Sequence, residues 1–154
     1  QNKPLPEEAI RAILNAGRRA QSAKNMQPKQ FIAITDKATL TKLSQLGEWA
    51  GHLAGAALGV AILTPAFEQR YSIMFDAGQA AAYMQLVAWE LGIGSCPATI
   101  YETEQARQVL GFPQDFDLHV IYSFGYPERE DVLTMPPKKG GRKELDEMVH
   151  WNHW

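Results

Sequence analysis

Residues 72–99 read SIMFDAGQAAAYMQLVAWELGIGSCPAT, and this stretch decides the fold. Ser72 to Leu91 is long enough for a helix and apolar around most of its circumference, the pattern of a central, buried helix rather than a surface one. Its small residues Ala77, Gly78, Ala80, Ala81 and Ala82 allow another backbone to come close; glycine inside a helix is costly unless packing needs it. Gly92 and Gly94 end the helix. The run Leu91 to Thr99 then reads as a helix cap and turn, with two glycines and a proline that let main chain approach something flat. These glycines follow a helix rather than a strand and lack dinucleotide-binding spacing, so a Rossmann reading fails.

On the upstream side, Leu5-Pro6-Glu7-Glu8 starts a helix. Proline suits the first turn, two acids favour the positive end of the helix dipole, and Arg18 and Arg19 sit near the far end. Ala9, Ile10, Ile13, Leu14 and Gly17 keep helical spacing between them. The polar run Gln21 to Pro28 is a loop. Gln30 to Thr35 follows as a strand, Ala38 to Leu46 as a helix, and Gly59 to Leu63 as a buried strand. Downstream, a helix spans Thr103 to Leu110, stopped by Gly111-Phe112-Pro113, and Leu118 to Gly125 is a core strand. Residues 128–154 change character: Glu128 to Lys143 is rich in proline, glycine and charge, and Leu145 to Trp154 carries two tryptophans without a local core. Exposed indoles waste apolar area, so this tail is expected to pack on a second subunit. Residues 1–154 thus read as one α+β domain with a C-terminal arm from about residue 128.

Composition narrows the function. Of 154 residues, 45% are hydrophobic and 21% charged, which excludes disorder; the net charge of -2 gives no electrostatic reason to bind nucleic acid. The longest apolar stretch, Ala54 to Leu63, is too short to span a bilayer. The single cysteine, Cys96, excludes an internal disulfide and fits a reducing compartment. No secretory leader is visible, although the opening Gln1-Asn2-Lys3 lacks a methionine, and a cytoplasmic location is the expectation.

Three segments have the chemistry for a site. Ser22-Ala23-Lys24-Asn25-Met26-Gln27-Pro28 sets a hydroxyl and two amides at short spacing, which suits the edge of a heterocycle; the same groups also cap a loop's own backbone. The Gly94 to Thr99 segment offers main-chain N–H groups. Lys138-Lys139-Gly140-Gly141-Arg142-Lys143 offers cations for a phosphate, with Arg142 the better bidentate donor, or simply a solvated basic stretch. His150 and His153 have i, i+3 spacing but no third ligand, so no metal site is expected. Cys96 lacks a base partner and reads as a small buried thiol.

In combination and order these segments resemble the nitroreductase superfamily. The resemblance runs through LPEEAIRAILNAGRRAQSAKNMQPKQF (5–31), DAGQAAAYMQLVAWELGIGSCPATIYE (76–102), VLGFP (109–113), FGYP (124–127) and GRKELDEMVHW (141–151). It implies a three-layer α-β-α sandwich with a mostly antiparallel central sheet, forming an intertwined homodimer with FMN at the subunit interface. Matched by motif, Ser22 and Asn25 line the flavin or its ribityl chain, with Gln27 and Pro28 close by. Pro97, Ala98, Thr99 and Ile100 lie against one ring face, with main-chain N–H near the flavin N5. Arg142, with Lys139 or Lys138, holds the phosphate. The helix beginning near Asp76 forms much of the dimer contact, Asp76 itself serving either as a cap or as a ligand contact. Lys24 and Lys29 are the loop's candidates for a positive group near N1.

The implied activity is ping-pong transfer of reducing equivalents from NADH or NADPH to an electron-poor small molecule such as a nitroaromatic or quinone. A flavin-binding or storage protein without turnover, and a cofactor-free scaffold, are the alternatives. Two departures stand out. The family's R-R-[ST]-x-R phosphate segment has no counterpart in residues 1–154: either QNKPLPEE continues directly from it in the native protein, which is the expectation, or FMN binding is weakened. The region between Thr64 and Asp76 is short, which implies a compact member with an open substrate site.

Overall fold

The computed structural model describes residues 1–66, 68, 70–135 and 140–154. Helix α1 spans Glu7–Arg19, capped by Pro6, with Glu7 and Glu8 in its first turn and Arg18 and Arg19 in its last. After a loop come strand β1, Gln30–Ile34, helix α2, Lys37–Leu43, and strand β2, Leu58–Thr64. Helix α3 covers Ser72–Glu90, strand β3 Gly94–Thr99, helix α4 Thr103–Leu110, and strand β4 Asp117–Gly125; a short α5, Leu145–Met148, lies in the arm.

The strands form one sheet in the order β1-β2-β4-β3, every adjacent pair antiparallel. Period-two alternation divides its side chains between two cores. Leu58, Val60 and Ile62 of β2 join Phe124 of β4 in a cluster with Ile13 of α1 and Met84 of α3. Ala61 and Leu63 face the other way, onto Leu40 and Leu43 of α2 and Ala106 of α4. Ile62 pairs with Val120 but Leu63 with Leu118, a register shift that makes His119 an extra residue in β4. This bulge is why Leu118 and Ile121, three positions apart, share one face. The result is the three-layer sandwich the resemblance implied.

Close contacts fix the layers. A Cβ on Gly17 would stand 3.0 Å from Cγ and Sδ of Met84, so glycine lets α1 and α3 cross closely. Asp36 caps α2 by accepting from Thr39 N (2.8 Å), which starts that helix slightly earlier than its apolar spacing suggested. Gly111, at φ +71°, ends α4 in a left-handed turn.

Two sequence expectations are corrected. Gly94–Thr99 is a strand, not a turn: six residues pair in register with β4, and that pairing overrides the low strand propensity of Gly94 and Pro97. Proline is tolerated because β3 is an edge. Helix α3, read as buried, covers only one face, with Ile73, Asp76, Ala80, Ala81, Met84 and Ala88 inside. Its opposite face, including Phe75, Leu86 and Trp89, is open to solvent in a single chain. No helix among the described residues is long and apolar enough to cross a membrane.

Candidate functional site

The Ser22–Pro28 loop joins α1 to β1. Three of its residues adopt the left-handed region without being glycine: Lys24 (φ 54°), Asn25 (φ 55°) and Gln27 (φ 50°). Asparagine tolerates this, whereas for lysine and glutamine it costs roughly 1–2 kcal/mol each. Four local hydrogen bonds close the loop on itself: Asn25 N to Ser22 O (2.9 Å), Met26 N to Ala23 O (3.2 Å), Gln27 N to Ser22 Oγ (2.9 Å) and Gln27 Nε2 to Asn25 O (3.4 Å). Two charged groups from outside add to them. The buried Asp76 carboxylate, 3% exposed, accepts from Ala23 N at 3.0 and 3.3 Å. Arg70 Nη2 donates to Ala23 O at 2.9 Å. Hydrogen bonds to charged groups contribute roughly 1.5–3 kcal/mol each, enough to offset the strain. Such strain, held by surrounding structure, is characteristic of ligand-gripping segments.

Lys29 follows the loop. Its side chain turns inward, and Nζ donates to Ala20 O (2.7 Å) and Gln21 O (3.2 Å), the carbonyls at the carboxyl end of α1. Burial pushes its pKa below the ordinary value, while the nearby Asp76 charge pulls it back up. The ammonium is therefore engaged with main-chain carbonyls, while Lys24 stays exposed. Ser22 is half-buried and keeps its O–H free to donate while its Oγ accepts from Gln27; Asn25 and Gln27 are exposed.

Strand β3 carries the second set. Ala98 and Ile100 are buried in the core against α2 and α4, so only their main chain is available to a ligand. Pro97 and Thr99 are exposed. One row of main-chain groups along an edge strand is not taken up by the sheet. Cys96 is exposed rather than buried: it shares a sheet face with Ala98, two residues on, but lies in the open groove with His52 rather than under a helix. Ser123 Oγ donates to Cys96 O (3.2 Å) and meets His52 Nδ1 at 2.8 Å, tying the strand to the turn before β2. At the far end of β3, a Cβ on Gly47 would stand 2.2 Å from Thr99 O, so only glycine lets that turn close over the strand.

The two sets are not brought together within one chain. β1 and β3 are opposite edges of the sheet, with β2 and β4 between them. Three strand spacings amount to about 14 Å. Helix α3 gives the same separation: Asp76 meets the loop while Gln85 Nε2 meets Ser95 Oγ (3.2 Å), and nine residues of helix rise about 13.5 Å. An open groove of about 930 Å³ beside α1 takes in Gln27 and Lys29, and a smaller one takes in Ser95 and Cys96; neither holds residues of both sets. Arg142 is exposed in the arm, donating to Gly141 O (3.3 Å); Lys138 and Lys139 lie outside the described residues. Arg70 was missed by sequence reasoning and carries no motif. Asp76 was named as a helix cap or a ligand contact; it is not the cap, since it lies inside α3 and accepts from Ala23 N of the loop.

Comparisons place this architecture among known proteins. The profile of the Nitroreductase family matches residues 1–58 and 47–126. A protein of Archaeoglobus fulgidus, provisionally named an NADH dehydrogenase/NAD(P)H nitroreductase, is 29% identical over 136 residues, covering 84% of this chain and 78% of that protein. The structure of an FMN-dependent nitroreductase from Clostridium difficile superposes with a TM-score of 0.84 at 28% identity, covering 100% of this chain and 92% of that one. The NADPH:FMN oxidoreductase of Vibrio harveyi, solved with NAD+, shares the fold at a TM-score of 0.83 and 20% identity, over 100% of this chain and 71% of that one.

Proposed function

The chain belongs to the nitroreductase family, and on that premise we propose that it is a homodimeric, FMN-dependent oxidoreductase that carries reducing equivalents from NAD(P)H to an electron-poor small molecule. The observation that carries this reading is the divided site: two segments of suitable chemistry stand about 14 Å apart on opposite sheet edges. A second copy, related by two-fold symmetry, would bring the loop of one protomer to the β3 edge of the other. The open apolar face of α3 supplies a surface for that contact.

The residues fit FMN by their chemistry. When bound, FMN supplies the redox chemistry, and the protein supplies binding, orientation and electrostatics. Ser22 offers a free O–H donor, and the exposed Asn25 and Gln27 amides offer both donors and acceptors for a heterocycle edge. Pro97 and Thr99, with the main chain of Ala98 and Ile100, present a flat strand edge held rigid from beneath by the core. Arg142, with Lys139 or Lys138, would hold the phosphate. The arm from about residue 128 reaches over the partner subunit in this reading. The nicotinamide donor and the acceptor share one open face and bind in alternation, giving ping-pong kinetics.

Anaerobic titration tests the proposal. Purified protein loaded with FMN should bleach on adding NADH or NADPH, and regain colour on adding a nitroaromatic or quinone. Steady-state plots at several donor concentrations should be parallel. Colour that NAD(P)H does not bleach would support a flavin-binding protein instead, and failure to take up FMN at all would refute the flavin reading.

A further inference from the structure

Resting on the flavin reading above, we propose that Asp76 and Arg70 are positioning residues for the cofactor loop, gripping the main chain of one residue, Ala23, on both sides so that Ser22, Asn25 and Gln27 are presented in a fixed arrangement. The grip is two-sided: Asp76 takes the N–H of Ala23 and Arg70 takes its C=O. Both come from distant sequence, 53 and 47 residues away. Arg70 is itself fixed, its Nε donating to Ser72 Oγ at 2.8 Å in the first turn of α3.

Holding Ala23 is sufficient to hold the whole loop. Each hydrogen bond donated by a main-chain N–H inside the segment ends on Ser22 O, Ala23 O or Ser22 Oγ, and the remaining one, Gln27 Nε2 to Asn25 O (3.4 Å), joins two residues already held by those bonds. The left-handed residues Lys24, Asn25 and Gln27 are strung on those bonds, and nothing in their side-chain chemistry would keep lysine or glutamine in that region unaided. Asp76 also stands out on the buried face of α3, where its neighbours are Ile73, Ala80 and Ala81. A carboxylate there costs desolvation that an apolar residue would avoid. Both of its oxygens point at Ala23 N, which leaves Asp76 a role through the loop rather than on a ligand.

The grip should show as a population effect. A loop that visits its binding-competent path a tenth of the time weakens apparent affinity about tenfold. The full chain carrying Arg70→Ala, Asp76→Asn or Asp76→Ala is titrated with FMN, and amide hydrogen exchange of residues 22–27 is measured without FMN. Arg70→Ala should weaken FMN binding about tenfold and speed exchange across 22–27, while the chain stays folded and its thermal midpoint falls by about three to six degrees. Asp76→Asn, which keeps an acceptor oxygen, should retain more affinity than Asp76→Ala. Unchanged exchange in Arg70→Ala and Asp76→Ala, or faster exchange with undiminished FMN affinity, would overturn the proposal. Wild-type protein that binds no FMN would instead overturn the flavin reading, and exchange alone then judges the grip.

Discussion

Phe75→Ala should dissociate the proposed dimer without unfolding the chain. The open face of α3 runs through Phe75, Gly78, Ala82, Leu86 and Trp89 at helical spacing, with Phe75 70% exposed, Leu86 63% and Trp89 52%. A Cβ on Gly78 would meet nothing within 4 Å, so the centre of this stripe is open to a second helix. Complete burial of a phenylalanine side chain contributes roughly 1.5–3 kcal/mol. With 70% of Phe75 still exposed in one chain, about 1–2 kcal/mol remains to be gained on association. A two-fold interface buries the residue twice, so the truncation costs about 2–4 kcal/mol per dimer. At tenfold per 1.4 kcal/mol, the dimer Kd should rise about 30- to 700-fold. Sedimentation velocity over a dilution series measures this directly, and circular dichroism confirms that the monomer stays folded. A wild-type chain that sediments as a monomer at tens of micromolar, or a Phe75→Ala dimer as tight as wild type, would refute the assignment of this face.

Further outcomes follow from the same geometry. Gly47→Ala should destabilise the fold by on the order of 1–3 kcal/mol in urea unfolding, because the added Cβ would meet the Thr99 carbonyl at 2.2 Å and main chain cannot give way as a side chain can. Met84→Ala, at a fully buried position packed on Gly17, should cost about 2–5 kcal/mol by the same measurement. Lys29 gives a pH signature. Burial holds its folded pKa below the ordinary 10.5, so the unfolded chain binds this proton more firmly. Stability attributable to Lys29 therefore rises with pH between its lowered pKa and 10.5 and is level outside that window. Unfolding midpoints compared for wild type and Lys29→Met at alkaline pH should show that rise only in the wild type.

Much of the fold was legible because its signals are local. The apolar period of Ser72–Glu90, the Pro6-Glu7-Glu8 start of α1 and the Gly111 stop of α4 each depend on neighbours in sequence. Strand β3 was not legible: Gly94 and Pro97 argue locally for a turn, and only pairing with β4, far along the chain, makes the segment a strand. Helix α3 misled for a different reason. Its sequence is apolar on both faces, whereas one chain covers only one. For the proposed site, hydroxyl and amide spacing singled out Ser22, Asn25 and Gln27. The role of Arg70 depends on a tertiary approach to Ala23 O that no spacing encodes. That Ala98 and Ile100 turn into the core follows from strand alternation, invisible while the segment read as a turn.

Subunit complementation tests the divided site most directly. Asn25→Trp spoils the loop half and Thr99→Trp the strand half, so neither homodimer should bind FMN. Unfolded together and refolded, the two chains form heterodimers in about half of all dimers, each with one intact composite site, so FMN binding should return to about a quarter of the wild-type amount. No recovery, with heterodimers confirmed by mass, would mean that both halves of each site come from one chain, and the account would be wrong.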